Sequence, residues 1–466
     1  MRRPAHRTGV RVRLGAPVLA AVAATALTGC GGGGHAALSA PASTAGSSTL
    51  AGGPQARSRH AHRRALSPTE RKLIAALRGD FDLAGNATGA YVYDLSTGTQ
   101  LFALHDSVKR PPASVEKLFT TVAVVRMLGP NLRLHTFVFG TGHLGPGGVW
   151  HGNLYLRGGG DPTFGDGEFN RVYLNGYGPT ATQLANQLVS DGIRSVTGRV
   201  YGDASLFDSR LGPPSSGYQP DIPDLGGELA ALTYDHGASE LTPGMPGFGH
   251  AKPKSLSPGA FAAHQLVVTL SQMHVSATAG TLTRHTPLDA RRLAIVTSPP
   301  MSVILRLMDV PSDDFIAEML TKQLGARIVG KGTTSEGAFV IRSALGLYGL
   351  HPKIVDGSGL SRSDLASPLQ VADLLRKLHG TSTGNVLDRA LPTVGVDGTV
   401  QTIATGTPAV GRCIAKTGTL DNVTNLAGYC HSRGRQLVAF ALMVDGPPNS
   451  TALTYIGRMV AAIATY

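Results

Sequence analysis

The C-terminal part of the sequence constrains the fold most strongly, because it reads as three consecutive β-strands joined by short turns. The strand-like runs extend from Arg412 to Val444, and residues 450–464 have the pattern of a closing helix. A second helix is predicted over residues 112–128, where apolar residues recur every three or four positions before Gly129-Pro130. A third is predicted from Ser312 to Leu324. Together these patterns predict a sheet with helices packed against it.

The middle of the sequence, residues 135–285, differs from both ends. It is rich in Gly and Pro and contains short β-like runs, at 154–156, 196–201 and 265–270. We therefore predict a separate, mostly β domain inserted into a first domain that is made of residues 67–134 and 286–466. Folded structure is expected to begin at Ser67, an N-cap that is followed three residues later by Glu70.

The first 66 residues have the features of an export signal and a tether. Residues 1–30 contain five arginines and then an apolar run, Leu14–Leu27, that is shorter than the ~20 residues of a membrane-spanning helix. The run ends at Cys30 in a Leu-Thr-Gly-Cys sequence that resembles a bacterial lipobox. This predicts a signal peptide with lipidation of Cys30, and an ordinary signal peptide with an incidental cysteine is the alternative. Residues 31–66 predict a flexible basic linker.

The positive charge of the chain lies mainly in this leader and does not indicate nucleic-acid binding. The chain has 42 basic and 30 acidic residues, and nine arginines lie in residues 1–66, which contain no acid. The body is therefore nearly neutral and lacks the charge of a nucleic-acid-binding surface. The sequence also lacks a His-Glu-x-x-His motif, cysteine pairs at zinc spacing and a Walker loop. We expect neither a metal nor a cofactor.

Two of the three cysteines, Cys413 and Cys430, lie on the first two C-terminal strands. They face each other if the turn between the strands centres near Asp421-Asn422. In an exported protein this placement predicts a cross-strand disulfide, and two buried thiols are the alternative.

A serine and a lysine at the start of the 112–128 helix are candidates for nucleophilic chemistry. In Ser114-Val-Glu-Lys117 the two side chains are three residues apart and share one helix face. The positive end of the helix dipole is near Ser114, and a neighbouring lysine can act as general base. The motif alone is weak, because a Ser-x-x-Lys sequence is common by chance.

Two further motifs are also weak when each is taken alone. Lys416-Thr417-Gly418-Thr419 offers a cation, hydroxyls and a bare backbone on an edge strand, to which a substrate can add as a further strand. Ser312-Asp313-Asp314 has the composition of a helix N-cap with acids in the first turn.

The order of the three motifs is far more specific than any one of them. With them the chain resembles the low-molecular-mass class C penicillin-binding proteins, which are D-Ala-D-Ala carboxypeptidases and endopeptidases. Residues 67–466 carry the resemblance, and the long interval from Ser114 to Ser312 is similar to the family's inserted region. Further similar segments are 156–164, 201–208, 355–362 and 415–420.

The resemblance implies an α/β (α+β) fold, in which a β-lactamase-like transpeptidase domain has an antiparallel sheet flanked by helices and carries a β-rich insert. It implies a serine-type peptidase that acts on peptidoglycan stem peptides ending in D-Ala-D-Ala and that β-lactams acylate. The site of action would be the outer face of the bacterial cytoplasmic membrane, reached through a lipid anchor, or the cell-wall space.

The resemblance also implies roles for individual residues. Four side chains would be catalytic: the nucleophile Ser114, its general base Lys117, and Ser312 and Lys416, which pass a proton to the leaving amine. Substrate binding would fall to Thr417, Gly418, Thr419 and Asp314. Backbone N–H groups of Ser114 and Thr419 would form the oxyanion hole.

One position departs from the family pattern, because Asp314 stands where the second motif has Asn. An Asn side chain can donate to the amide carbonyl of a substrate, whereas an ionised Asp cannot. Opposite charges ~4 Å apart at an effective dielectric of ~20 attract by about 4 kcal/mol. We therefore expect Asp314 to hold Lys117 in its charged form and to slow acylation, and a protonated or turned-away Asp314 is the alternative.

Two other functions stay open at this point. The chain could be a protein of the same fold that recognises wall peptides but turns over poorly, or a β-lactamase-like hydrolase of other amides or esters. Slow release of a penicilloyl group would favour the peptidase, fast release the lactamase, and no acylation the binding protein.

Overall fold

The computed structural model describes residues 65–220, 222–237 and 256–466. The predicted signal peptide at 1–30, its lipidation site Cys30 and all but two residues of the predicted linker at 31–66 lie outside these ranges. Among the described residues, we find no helix with the length and apolar character that crossing a bilayer requires.

Both helices and strands are distributed along the described chain. The helices are α1 (Pro68–Ala84), α2 (Lys117–Met127), α3 (Gly167–Tyr173), α4 (Ala181–Ser190), α5 (Ile222–Leu225), α6 (Pro258–Gln272), α7 (Met301–Asp309), α8 (Asp314–Leu324), α9 (Thr334–Gly346), α10 (Pro368–Leu378), α11 (Ser382–Ala390) and α12 (Asn449–Thr465). The strands are β1 (Gly89–Asp94), β2 (Thr99–Leu104), β3 (His135–Gly140), β4 (His143–Leu144), β5 (Val149–His151), β6 (Leu154–Arg157), β7 (Ser195–Asp203), β8 (Ser276–Ala279), β9 (Arg291–Thr297), β10 (Cys413–Leu420), β11 (Val423–His431) and β12 (Leu437–Asp445).

The first sheet joins the two ends of the described chain. Its five strands are ordered β10-β11-β12-β1-β2, and every neighbouring pair is antiparallel. One face packs on a core that includes α2, α7, α8, α9, α10 and α11, and the other packs on α1 and α12. The predicted C-terminal run of three strands and a helix is therefore confirmed, as is the antiparallel sheet flanked by helices.

The start of the folded body follows from its local sequence. Ser67 Oγ accepts a hydrogen bond of 3.1 Å from the backbone N–H of Glu70, and the Glu70 carboxylate accepts one of 2.6 Å from the N–H of Ser67. Pro68 occupies the first turn, where its missing N–H costs nothing. The predicted N-cap is confirmed, because a capping box needs only residues within one turn.

The predicted helix over 112–128 is divided in the structure. Residues 113–116 form a 3₁₀ turn, and α2 begins only at Lys117. The turn begins at Ala113, whose φ of 48° lies in the left-handed region. Similarly, α8 is capped by Asp313, which accepts a 2.7 Å bond from the N–H of Ile316. Ser312 therefore precedes the helix, with a φ of 66°.

The second sheet is built from the middle of the chain. Its strands are ordered β4-β5-β7-β6-β3-β9, with β8 paired to β7, and they mix parallel and antiparallel neighbours. The sheet has its own apolar core, which α4 and α6 help to form. Because β9 pairs with β3, the sheet extends to Thr297, beyond the predicted end of the insert at 285. The division into a first and an inserted domain stays a prediction.

The β-like runs at 154–156 and 196–201 are confirmed as parts of β6 and β7. The prediction of a β-like run at 265–270 is wrong, because these residues lie in α6. The physical reason is that Ala262, Leu266 and Leu270, four residues apart, form one buried helical face. The described part of residues 135–285 is consequently a mixed α/β region rather than a mostly β one.

Cys413 and Cys430 lie directly opposite each other on β10 and β11 and are joined by a disulfide. We expect the Cys413→Ala/Cys430→Ala double variant to lose about 3 kcal/mol of the free energy of unfolding. The reason is that the bond joins residues 17 positions apart and so closes a loop in the unfolded chain, which lowers its entropy. Urea denaturation measures the loss. An unchanged midpoint, or alkylation of either cysteine in the unfolded but unreduced chain, would contradict the expectation.

Candidate active site

Ser114 and Lys117 meet at the junction of the 3₁₀ turn and α2. The Nζ of Lys117 lies 3.0 Å from Ser114 Oγ, 2.5 Å from Asp314 Oδ1 and 2.8 Å from the carbonyl oxygen of Ser358. The lysine side chain is completely buried. A charged amine can donate one hydrogen to each of these three oxygens.

The same geometry defines how Lys117 can act as a base. A neutral amine has two hydrogens and one lone pair. If Lys117 Nζ donates its two hydrogens to Asp314 Oδ1 and to the carbonyl oxygen of Ser358, its lone pair is directed at Ser114 Oγ and can accept the hydroxyl proton. The site is therefore arranged to activate a serine once Lys117 is neutral.

Asp314 is the first residue of α8 and makes the shortest of the Lys117 contacts. It is not turned away from the site. Burial raises the pKa of the Asp314 carboxyl, and the charge of Lys117 acts in the opposite direction. Burial thus favours the neutral carboxyl of Asp314, and the neighbouring ammonium favours its carboxylate.

A second hydroxyl–amine pair lies on the other side of the site. The Nζ of Lys416 lies 2.7 Å from Ser312 Oγ and 3.1 Å from the carbonyl oxygen of Thr417. Burial, together with repulsion from Lys117, lowers the pKa of Lys416 to about 7, while Asp309 and Asp314 act in the opposite direction. Lys416 can therefore change its protonation state near neutral pH.

Strand β10 lies directly against the turn that carries Ser114. A Cβ atom at Gly418 would clash with the carbonyl oxygen of Pro112 and would lie 2.9 Å from the nitrogen of Val115. Only glycine allows this approach. The adjacent Thr419 is exposed, and the hydroxyls of Thr417 and Thr399 are 2.7 Å apart. The motif thus presents a hydroxyl and a cation beside the serine.

Six of the residues singled out in the sequence are joined by direct contacts into two groups. One contains Ser114, Lys117 and Asp314, and the other contains Ser312, Lys416 and Thr417. Gly418 abuts the Ser114 turn. The disulfide joins Cys413, the first residue of the same strand β10, to Cys430 on β11. Within the described residues, no cluster of three His, Cys, Asp or Glu side chains could hold a metal ion.

Sequence reasoning missed three residues that complete the site. Ser358 supplies the third acceptor of Lys117, Thr399 contacts Thr417, and Asn425 Nδ2 donates to the carbonyl oxygens of Pro111 (3.0 Å) and Pro112 (2.9 Å). Asn425 thereby holds the chain that leads into Ser114. The only sequence signal was for Ser358, which lies in the family-like segment 355–362.

Comparison with known protein families places this site in context. The model of the D-Ala-D-Ala carboxypeptidase 3 (S13) family matches residues 70–226 and 250–466. All the motif residues described above lie within these ranges.

Individual relatives match over most of both chains. A D-alanyl-D-alanine carboxypeptidase of Actinomadura sp. (strain R39) is 25% identical over 85% of this chain and 84% of its own. Carboxypeptidase DacB of Mycolicibacterium smegmatis is 29% identical over 85% of each chain. The crystal structure of penicillin binding protein 4 from Haemophilus influenzae covers 84% of this chain and 99% of its own, with a TM-score of 0.69 and 19% identity. That likeness shows a shared fold.

Proposed function

The chain belongs to the D-Ala-D-Ala carboxypeptidase 3 (S13) family and is a serine-type peptidase of the penicillin-binding class, and we propose that Ser114 is its nucleophile. The observation that carries this proposal is the 3.0 Å contact between Ser114 Oγ and the Nζ of the buried Lys117. The substrates we propose are peptidoglycan stem peptides that end in D-Ala-D-Ala.

The first half of the reaction forms an acyl-enzyme. Ser114 Oγ attacks the carbonyl carbon between the two terminal alanines while its proton passes to Lys117. The N–H groups of Ser114 and Thr419 stabilise the negative oxygen of the tetrahedral intermediate. The C–N bond then breaks, and the leaving amine takes a proton through Ser312 from Lys416, which are 2.7 Å apart.

The second half releases the acyl group. Before this half, the proton that Lys117 gained passes through solvent to Lys416, so that Lys117 is neutral and Lys416 is charged again. A water molecule then attacks the ester carbonyl of Ser114 and gives one proton to Lys117. Lys117 passes that proton to Ser114 Oγ as the C–O bond breaks, which restores the serine hydroxyl and liberates a shortened peptide. An amine of a neighbouring stem peptide in place of water would make the reaction a transfer. The same acylation step explains trapping by β-lactams, and the structure of Haemophilus influenzae penicillin binding protein 4 has been solved with a β-lactam.

Substrate orientation is assigned to β10. Lys416, Thr417 and Thr419 would hold the terminal carboxylate, and the peptide would lie along the strand at Gly418. Because peptidoglycan lies outside the cytoplasmic membrane, the enzyme acts there. We propose that the lipid anchor is Cys30 and that it tethers the enzyme to the outer face of that membrane.

The proposal can be tested with a synthetic peptide that ends in D-Ala-D-Ala. We expect the wild-type chain to release D-Ala, and we expect release to stop after one equivalent of benzylpenicillin. Release that continues when Ser114 is fully acylated would place the peptidase chemistry at another residue.

A pH dependence follows from Lys416, whose pKa is about 7. The charged form is needed to hold a carboxylate, so kcat/KM for the peptide should fall as the pH rises through about 7. The Lys416→Arg variant should be slower, because arginine cannot pass a proton to the leaving amine. Its residual activity should lose this decline, because arginine stays protonated throughout this range. Initial rates between pH 5.5 and 9 measure both profiles. The same decline in the arginine variant would contradict the assignment.

A further inference from the structure

Four buried acids interact with one another close to Lys117. They are Glu116, Glu318, Asp356 and Asp364, and all are completely buried. Burial and mutual repulsion raise the pKa of Glu318 to about 8 and that of Asp364 to about 10. The reaction described above uses none of these four acids, so their role needs a separate explanation.

Glu318 binds two consecutive N–H groups of the segment that contacts Lys117. Its Oε1 accepts hydrogen bonds of 2.9 Å from the N–H of Gly357 and of 2.9 Å from the N–H of Ser358. Asp356 supports the same segment by accepting bonds from the N–H groups of Gly359 (2.7 Å) and Ser361 (2.8 Å). The backbone at 357–358 is therefore held from its N–H side.

The carbonyl oxygens of the same two residues point to α2 and the catalytic lysine. Gly357 O accepts a 2.7 Å bond from Thr120 Oγ1, and Ser358 O accepts the 2.8 Å bond from Lys117 Nζ. A side chain at Gly357 would clash with Thr321 Oγ1, which shows how closely the segment approaches α8. The segment is thus clamped between α8, which carries Glu318, and α2, which begins at Lys117.

We propose that Glu318 is a positioning residue for acylation, which fixes the 357–358 backbone so that the Ser358 carbonyl directs Lys117 at Ser114. The inference rests on the proposed function of Ser114. Lys117 has three acceptors, and loss of the Ser358 carbonyl leaves the amine free to turn toward Asp314. The lone pair would then no longer face Ser114 Oγ.

This role depends on the shape of Glu318 and not on its charge. A carboxylate, a protonated acid and a carboxamide all keep an oxygen where Oε1 can accept both N–H groups. Alanine removes that oxygen, and aspartate withdraws it by one methylene. The proposal therefore predicts that glutamine restores what alanine and aspartate lose.

The experiment measures the rate constant for acylation of Ser114 by benzylpenicillin, followed by intact-protein mass spectrometry. We expect Glu318→Ala and Glu318→Asp to acylate at least tenfold more slowly than wild type and Glu318→Gln to stay within threefold. For D-Ala release we expect the alanine and aspartate variants to lower kcat with KM within twofold of wild type. Glu318→Asp keeps the test open if the alanine variant does not fold.

Lys322→Met is a matched control on the same helix. Lys322 is also completely buried, and its Nζ binds Asp208 (2.7 Å) and the carbonyl oxygen of Arg210 (2.6 Å) rather than the 357–358 backbone. We expect this variant to unfold at lower urea concentration but to acylate within twofold of wild type.

Three results would overturn the role of Glu318. They are wild-type acylation rates in the folded alanine and aspartate variants, a glutamine variant as slow as alanine, and an equal slowing in Lys322→Met. A wild-type chain that forms no adduct at all would instead contradict the proposed function of Ser114, and the role of Glu318 with it.

Discussion

Replacing Ser114 with alanine is expected to abolish the covalent adduct that benzylpenicillin forms with the wild-type chain. Ser114 Oγ is the hydroxyl that Lys117 Nζ contacts at 3.0 Å, and Lys117 has no other serine side chain among its described hydrogen-bond partners. Removal of a nucleophile commonly costs ~10³-fold or more in rate, since no other group takes over the bond-forming step. Intact-protein mass spectrometry measures the mass gain, and peptide mapping locates it.

The control for this experiment is Ser107→Ala, which replaces an exposed serine shortly before the proposed nucleophile. We expect it to form the adduct at the wild-type rate. An adduct of equal yield in Ser114→Ala would show that another residue is acylated. The absence of any adduct in a folded wild-type sample would favour the alternative of a binding protein that does not turn over.

Replacing Asp314 with asparagine is expected to accelerate acylation by about tenfold or more at pH 7. Asp314 Oδ1 lies 2.5 Å from Lys117 Nζ in a buried setting, where an ionised carboxylate attracts a charged amine. An attraction of about 4 kcal/mol at ~4 Å and an effective dielectric of ~20 is far larger than the 1.4 kcal/mol that changes a rate tenfold. Asparagine keeps an oxygen for Lys117 and adds an N–H for the substrate carbonyl.

The pH dependence of this effect has a defined direction. Burial raises the pKa of Asp314, and below that pKa the aspartate is neutral like asparagine. The advantage of Asp314→Asn should therefore shrink as the pH falls. Asp313→Asn is the control, because asparagine is an equally good N-cap and the change also removes an acid beside the site. A rate at or below wild type in Asp314→Asn, or an equal gain in both variants, would contradict the explanation.

Elements with strong local signals could be predicted from the sequence. The capping box of α1 needs only Ser67 and Glu70, and the C-terminal strands follow from their apolar runs and turns. The register that places Cys413 opposite Cys430 followed from the position of the turn between them. These features depend on residues that are close in sequence, so neighbouring residues carry enough information.

Predictions failed where tertiary packing outweighed the local pattern. The apolar run 265–270 is compatible with a strand, and only its packing with the rest of α6 in the second core makes it helical. The 112–128 helix begins later than predicted, because Asn425 and Gly418 hold the preceding turn in a tight conformation against β10 and β11. The sequence of the helix itself contains no signal for this contact.

The sequence by itself determined the chemical inventory: a serine and a lysine one turn apart, a second serine with acids, and a Lys-Thr-Gly strand. Only the tertiary structure decided how they act. It placed Asp314 and the Ser358 carbonyl on the amine of Lys117, 197 and 241 residues away in sequence. Hydrogen bonds are sensitive to changes of a few tenths of an ångström in the donor–acceptor distance. The packing of α2, α8 and the 355–361 segment sets those distances.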